Sequence, residues 1–192
     1  MHLGTIPLIL DYLLGDISGQ NHDKCKPKIM LWKCGGRSVL AFRCRSIRAN
    51  RAASTEEFVK KVAISDMMEV QSSELALSRQ PDADTKPFAE KMVKDHQQTS
   101  KDLKGLVESG KVKATLPTAL DAEHQKKLEE LKSKSGKEFD RAYDQMQLQA
   151  HEEAVALFEQ YSQSGDNPDL KSWAAKTLLH LKEHLAMAKT LS

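Results

Sequence analysis

Four side chains capable of holding a metal ion are spread along this 192-residue chain: Glu69, His96, His151 and His184. Neutral imidazole supplies nitrogen donors, and a carboxylate supplies an anionic oxygen. Together they suit a transition metal ion in a mononuclear site. Asp66, Asp95 and His180 are secondary candidates, with His180 and His184 at i, i+4 spacing. A di-iron carboxylate centre would need Glu-x-x-His on two helices. Here the pairs are adjacent instead, His151-Glu152 and Glu183-His184, and adjacent residues diverge by about 100° on a helix. Ferroxidase-type catalysis therefore lacks its carboxylates, and a binding role is expected rather than an enzymatic one. The same residues support a second reading. A buried histidine often hydrogen-bonds a carboxylate or hydroxyl across a core, and such a polar layer can specify how similar helices pair.

The elements that must position these groups are helical. Ala, Leu, Lys, Glu and Gln dominate after residue 54, a helix-forming composition. "STEEF" opens a first helix, capped by Ser54 or Thr55, that runs to about Gln80, where Pro81 stops it. Asp82 caps a second helix, about Ala83 to Ser109, which ends at Gly110. A linker with Pro117 leads to a short helix from Asp121 to about Lys134. A fourth helix spans about Lys137 to Ser164, and a fifth runs from near Pro168 to about Leu191. Short turns make antiparallel neighbours. The expected fold is all-α: an up-down four-helix bundle, ferritin-like, with one short extra helix between two hairpins.

On helical wheels the polar candidates fall on apolar faces. His96 lies among Phe88, Met92, Val93, Leu103, Leu106 and Val107, with Asp95 at the edge. His151 lies among Phe139, Tyr143, Met146, Ala150, Ala154, Leu157, Phe158 and Tyr161. His184 shares a stripe with Leu170, Ala174, Leu178, Leu181, Leu185 and Ala188, while His180 is further off. Asp66, Glu69 and Ser73 interrupt the face formed by Phe58, Val62, Ala76 and Leu77. Measured from the hairpin turns, Asp66, His96, His151 and His184 all lie about 22–26 Å along their helices at ~1.5 Å per residue. One polar layer at mid-bundle is the expectation. The methionines are scattered and read as core filling.

Composition limits the alternatives. Residues 1–53 carry nine Lys/Arg against three Asp/Glu, and the remainder carries 20 against 24. A mildly acidic domain behind a basic leader is not the charge profile of a nucleic-acid-binding fold. No window approaches about 20 unbroken apolar residues, so no transmembrane helix is expected. Cys25, Cys34 and Cys44 all lie in the leader, which excludes a disulfide framework for the domain. The leader reads as poorly ordered: a misassigned start or a degenerate export segment, since Arg37, Arg43 and Arg45 break its apolar stretch. Phosphate-binding glycine loops and nucleophile elbows are absent.

Four stretches carry a resemblance: "SDMMEVQSSELAL", "FAEKMVKDHQQTSKDLKGL", "SGKEFDRAYDQMQLQAHEEAVALFEQ" and "LKSWAAKTLLHLKEHLAMAKTL". Over about residues 54–191 the chain resembles bacterial domain-of-unknown-function family 4142, whose members are labelled exported or outer-membrane proteins and have a ferritin-like bundle. The resemblance places Glu69, Asp95, His96, Phe139, Asp140, Tyr143, His151 and His184 on the family's motif positions. His180 departs from the family's pattern. The resemblance implies a periplasmic or envelope-associated protein and supplies no activity. It names no protein partner.

Overall fold

The computed structural model describes residues 54–191. The basic leader and its three cysteines lie outside the described residues. Five helices follow one another: α1 (Thr55–Ser78), α2 (Thr85–Glu108), α3 (Ala122–Lys132), α4 (Gly136–Ser164) and α5 (Pro168–Leu191). The predicted elements are all present, with boundaries displaced by one or two residues. No described helix is long and apolar enough to cross a membrane.

Local chemistry sets the helix ends. Asp82 accepts hydrogen bonds from the Thr85 and Asp84 backbone N–H groups at 2.8 and 3.1 Å, so it caps α2 as expected. Asp121 accepts the His124 N–H at 3.0 Å and caps α3. At α1 the expectation fails. Ser54 makes no capping side-chain bond; instead, the Thr55 N–H donates to Asp166 at 3.0 Å, from the α4–α5 turn. The Thr55 hydroxyl also bonds Asp166 and lies 2.6 Å from the Tyr161 hydroxyl. A tertiary contact thus satisfies an orphan helix donor that local sequence leaves open. Past the other end of α1, Gln80 takes a left-handed conformation, φ 55°.

α1 pairs with α2 and α4 with α5 as the two hairpins; α1 then packs on α4 and α2 on α5. Thr55 meets Tyr161, Ser72 meets Gln147 and Ser73 meets Tyr143. Rising numbers on α1 thus match falling numbers on α4, so these two helices are antiparallel as well. The helices run up, down, down, up. The link from α2 to α4 must therefore traverse the bundle's length. Near one end Asn167 bonds the Lys111 carbonyl; near the other Arg79 bonds those of Lys132 and Lys134. α3 rides on this crossover and packs on both α1 and α4.

The apolar interior falls into two clusters. One contains Phe58, Val62, Leu103, Phe158, Leu170 and Leu181; the other contains Ala76, Phe88, Met92, Phe139, Tyr143 and Ala188. Each long helix carries buried ionisable residues between members of the two clusters, among them Asp66 and Glu69 on α1, His96 on α2, His151 on α4 and His184 on α5. Burying ionisable groups in the middle of a core is costly unless they are paired. Their pairing therefore decides what the layer is.

Candidate metal centre

Residues 96, 151 and 184 come from three different helices, yet their rings are mutual neighbours. Ring centroids lie 5.7 Å apart for His96–His151, 5.6 Å for His96–His184 and 5.5 Å for His151–His184. Each ring offers a nitrogen within 4.8 Å of those of the other two, and all three residues are buried. Metal–imidazole bonds of about 2.0–2.1 Å would need the longest edge of this triangle to contract by roughly 1 Å or more.

One nitrogen of each ring is already held. His96 Nδ1 lies 2.8 Å from Asp66 Oδ1 on α1. The Ser100 hydroxyl donates to the other Asp66 oxygen at 3.2 Å. His151 Nδ1 donates to the Gln147 carbonyl, one turn back on α4, at 2.8 Å. His184 Nε2 lies 2.9 Å from Asp95 Oδ2 on α2, an oxygen that also accepts from Lys91 Nζ at 2.8 Å. The opposite nitrogens are buried without a hydrogen-bond partner: His96 Nε2, His151 Nε2 and His184 Nδ1. Glu69 Oε2 shares that condition. Buried polar atoms are rarely left unpaired, yet five are among the described residues: these four and Gln147 Oε1, one turn from His151 on α4. A ring nitrogen fixed by a carboxylate or carbonyl, with the other nitrogen left over, is the usual arrangement around a bound metal.

The protonation states of His151 and His184 agree with this geometry. Burial holds His151 below the ordinary histidine range, despite the nearby Glu69 charge and its bond to Gln147. Burial likewise lowers His184 to about 4, against the Asp95 hydrogen bond and assisted by the other two rings. Both are neutral near pH 7. His151 Nδ1 carries the hydrogen it donates to a carbonyl, so its Nε2 bears a lone pair. His184 Nε2 donates to a carboxylate, so its Nδ1 bears one too. His96 differs. Burial depresses it, but the Asp66 hydrogen bond and the Asp66, Glu69 and Asp95 charges outweigh burial and raise it. Burial also raises Asp66, against its bonds to His96 and Ser100. Both shifts favour keeping the proton that the pair shares.

The seven candidates therefore separate. His96, His151 and His184 come together. Glu69 lies in the same layer, close enough for its charge to act on His96 and His151, but the mutually converging set is the three histidines. Asp66 and Asp95 each hold a histidine from an adjacent helix. His180 points outward with 68% of its side chain exposed, 3.8 Å from Glu183. Sequence reasoning did not single out Gln147, Ser72 or Ser100. Gln147 is fully buried, and its side-chain nitrogen donates to Ser72 at 3.3 Å. Gln147 and Ser100 stand four residues from His151 and His96, so the helical period that picked out the histidines also marks these two positions.

Known proteins bear on this geometry in two ways. No curated protein matches the chain. Among solved structures, "CopM in the Cu(II)-bound form" superposes with a TM-score of 0.60 at 15% identity. The match covers 72% of this chain and 95% of that one, and at this identity it speaks for the fold. The profile of a family described as "Domain of unknown function (DUF4142)" matches residues 45–191. That span takes in all four long helices and the whole histidine layer, and the chain belongs to the DUF4142 family.

Proposed function

We propose that this protein binds a divalent transition metal ion through His96, His151 and His184, with Glu69 as an anionic oxygen donor, and that it does so as an exported, envelope-associated protein. One observation carries the reading. Three imidazole nitrogens and one carboxylate oxygen are buried in a single layer without partners, while the opposite nitrogen of every ring is held. A layer that served only to pair helices would be expected to satisfy its own atoms. Imidazole-rich sites suit copper, zinc and nickel, and affinity rises toward Cu(II) along the divalent series. The Cu(II)-bound state of the similarly folded CopM supports the same ion. Export rests on the family resemblance. The role is binding, with no reaction assigned.

The test is Cu(II) loading of the purified protein followed by dialysis and elemental mass spectrometry. One ion per chain is expected in the wild type, with loss in His151→Ala and in His184→Ala while circular dichroism stays helical. A wild type that retains no metal at any loading overturns the reading.

A second reading has its own support: His96–Asp66 and His184–Asp95 each join two helices, which fixes pairing between α1 and α2 and between α2 and α5. Under that reading Asp66→Asn alters stability and helix pairing, and metal has no effect on either.

A further inference from the structure

A cavity of about 620 Å³ opens between α1, α3 and α4. Its inner wall includes His96, Asp66 and Glu69; its outer wall includes Glu123 and His124 of α3, with Glu153 of α4. It therefore joins solvent to the very layer in which His96 Nε2 and Glu69 Oε2 are buried without partners. Its lining carries six carboxylates against three lysines. Two of those lysines are engaged by carboxylates of the same wall, Lys61 by Glu57 at 2.8 Å and Lys127 by Glu123 at 2.7 Å. The wall is thus net negative, and a cleft of one sign concentrates ions of the other.

We infer that this cavity is the passage by which a divalent cation reaches the histidine layer, with α3 forming its outer lip and Glu69 as the acid that the arriving ion meets at its inner end. The inference rests on the metal-binding reading and adds the route. Bundle opening is not required. α1 and α4 both line the cavity at this level, and α3 packs on both of them at its outer rim. His151 and His184 are absent from the cavity wall and lie deeper. The ion therefore arrives from the α1 side, past Glu69 and His96. Ala150 of α4 lines the passage with a small side chain. A large residue there would narrow the passage and leave every donor in place.

Stopped-flow mixing of the full-length protein with Cu(II) tests the route. Ala150→Phe is expected to slow association and dissociation together, leaving the equilibrium constant within about twofold. The double variant Glu123→Lys/Glu153→Lys sits at the exposed mouth and does not depend on core repacking. It is expected to slow association roughly tenfold at low ionic strength, with the deficit shrinking as salt is added. Association in the charge-reversed variant as fast as in wild type, at every salt concentration, overturns the route, including where Ala150→Phe fails to fold. A wild type that takes up no Cu(II) overturns the metal reading itself. A wild type that binds while both variants bind equally fast overturns the passage alone.

Discussion

At the scale of single residues, the layer's chemistry lies in which nitrogen of each ring is occupied. Asp66 holds His96 Nδ1 and so orients its Nε2. Replacing such an outer partner usually costs metal affinity about 10–100-fold. Asp66→Asn should weaken Cu(II) binding by that order, measured by competition with a chromophoric chelator, without abolishing it. pH acts through the depressed histidines. His184 titrates at about 4 in the fold, against an ordinary value of 6.5. Between those values the unfolded chain binds the proton and the folded one does not. The His184 contribution is therefore fully present above about pH 6.5 and is lost as pH falls toward 4, by at most roughly 3 kcal/mol. His151 acts in the same direction. His96 is raised and acts oppositely, its contribution being lost as pH rises through its folded value. Urea titrations of the metal-free protein between pH 7 and 4 should give a visibly flatter pH dependence for His184→Gln than for wild type. An unchanged slope would remove His184 from the account.

At the scale of elements, the turn between α1 and α2 carries a local cost. Gln80 adopts φ 55°, a conformation that costs residues with a Cβ roughly 1 kcal/mol and glycine almost nothing. Helices commonly end in this way with glycine at that position. Gln80→Gly should raise stability by about 0.5–1 kcal/mol in thermal melts, with no change in metal binding; destabilisation would mean that the glutamine side chain holds the turn. α3 makes a different point. Its sequence reads as a short charged helix, yet it buries Leu128 and Leu131. Those two residues hold it against the bundle while its polar side faces the cavity.

At the scale of the whole molecule, the four long helices share one layer, so occupancy of that layer should couple both hairpins. An ion that binds only the native arrangement stabilises it by about 2.7 kcal/mol when its concentration is a hundred times the dissociation constant. For a domain of this size that corresponds to roughly 10 °C in Tm. Calorimetry with and without Cu(II) should show a single transition moving upward as one unit. A transition that splits, or stays in place, would mean that the layer does not tie the hairpins together. Without metal, the two apolar clusters on either side of the layer remain the main source of stability.

Much of this was already legible in the chain. The helical period, the proline and glycine stops and the aspartate caps mark all five helices, because those signals act over a few neighbouring residues. The same period puts His96, His151 and His184 on apolar faces, and counting from the turns puts them at one depth. Their roles could not be read this way. Sequence put Glu69 among the primary donors and Asp66 and Asp95 second to it, but assigned none of them a partner; only packing showed that the two aspartates hold histidine nitrogens while an oxygen of Glu69 is left over. That difference depends on which helix lies beside which and how far each is rotated, and a single helix's own residues do not specify either. The α1 cap from Asp166 and the passage beneath α3 are of the same kind. Local sequence determined the rods and their inward faces, because backbone hydrogen bonding and side-chain period are local. The tertiary structure decided the hydrogen-bond partners, because those bonds join residues as far apart in sequence as Asp95 and His184.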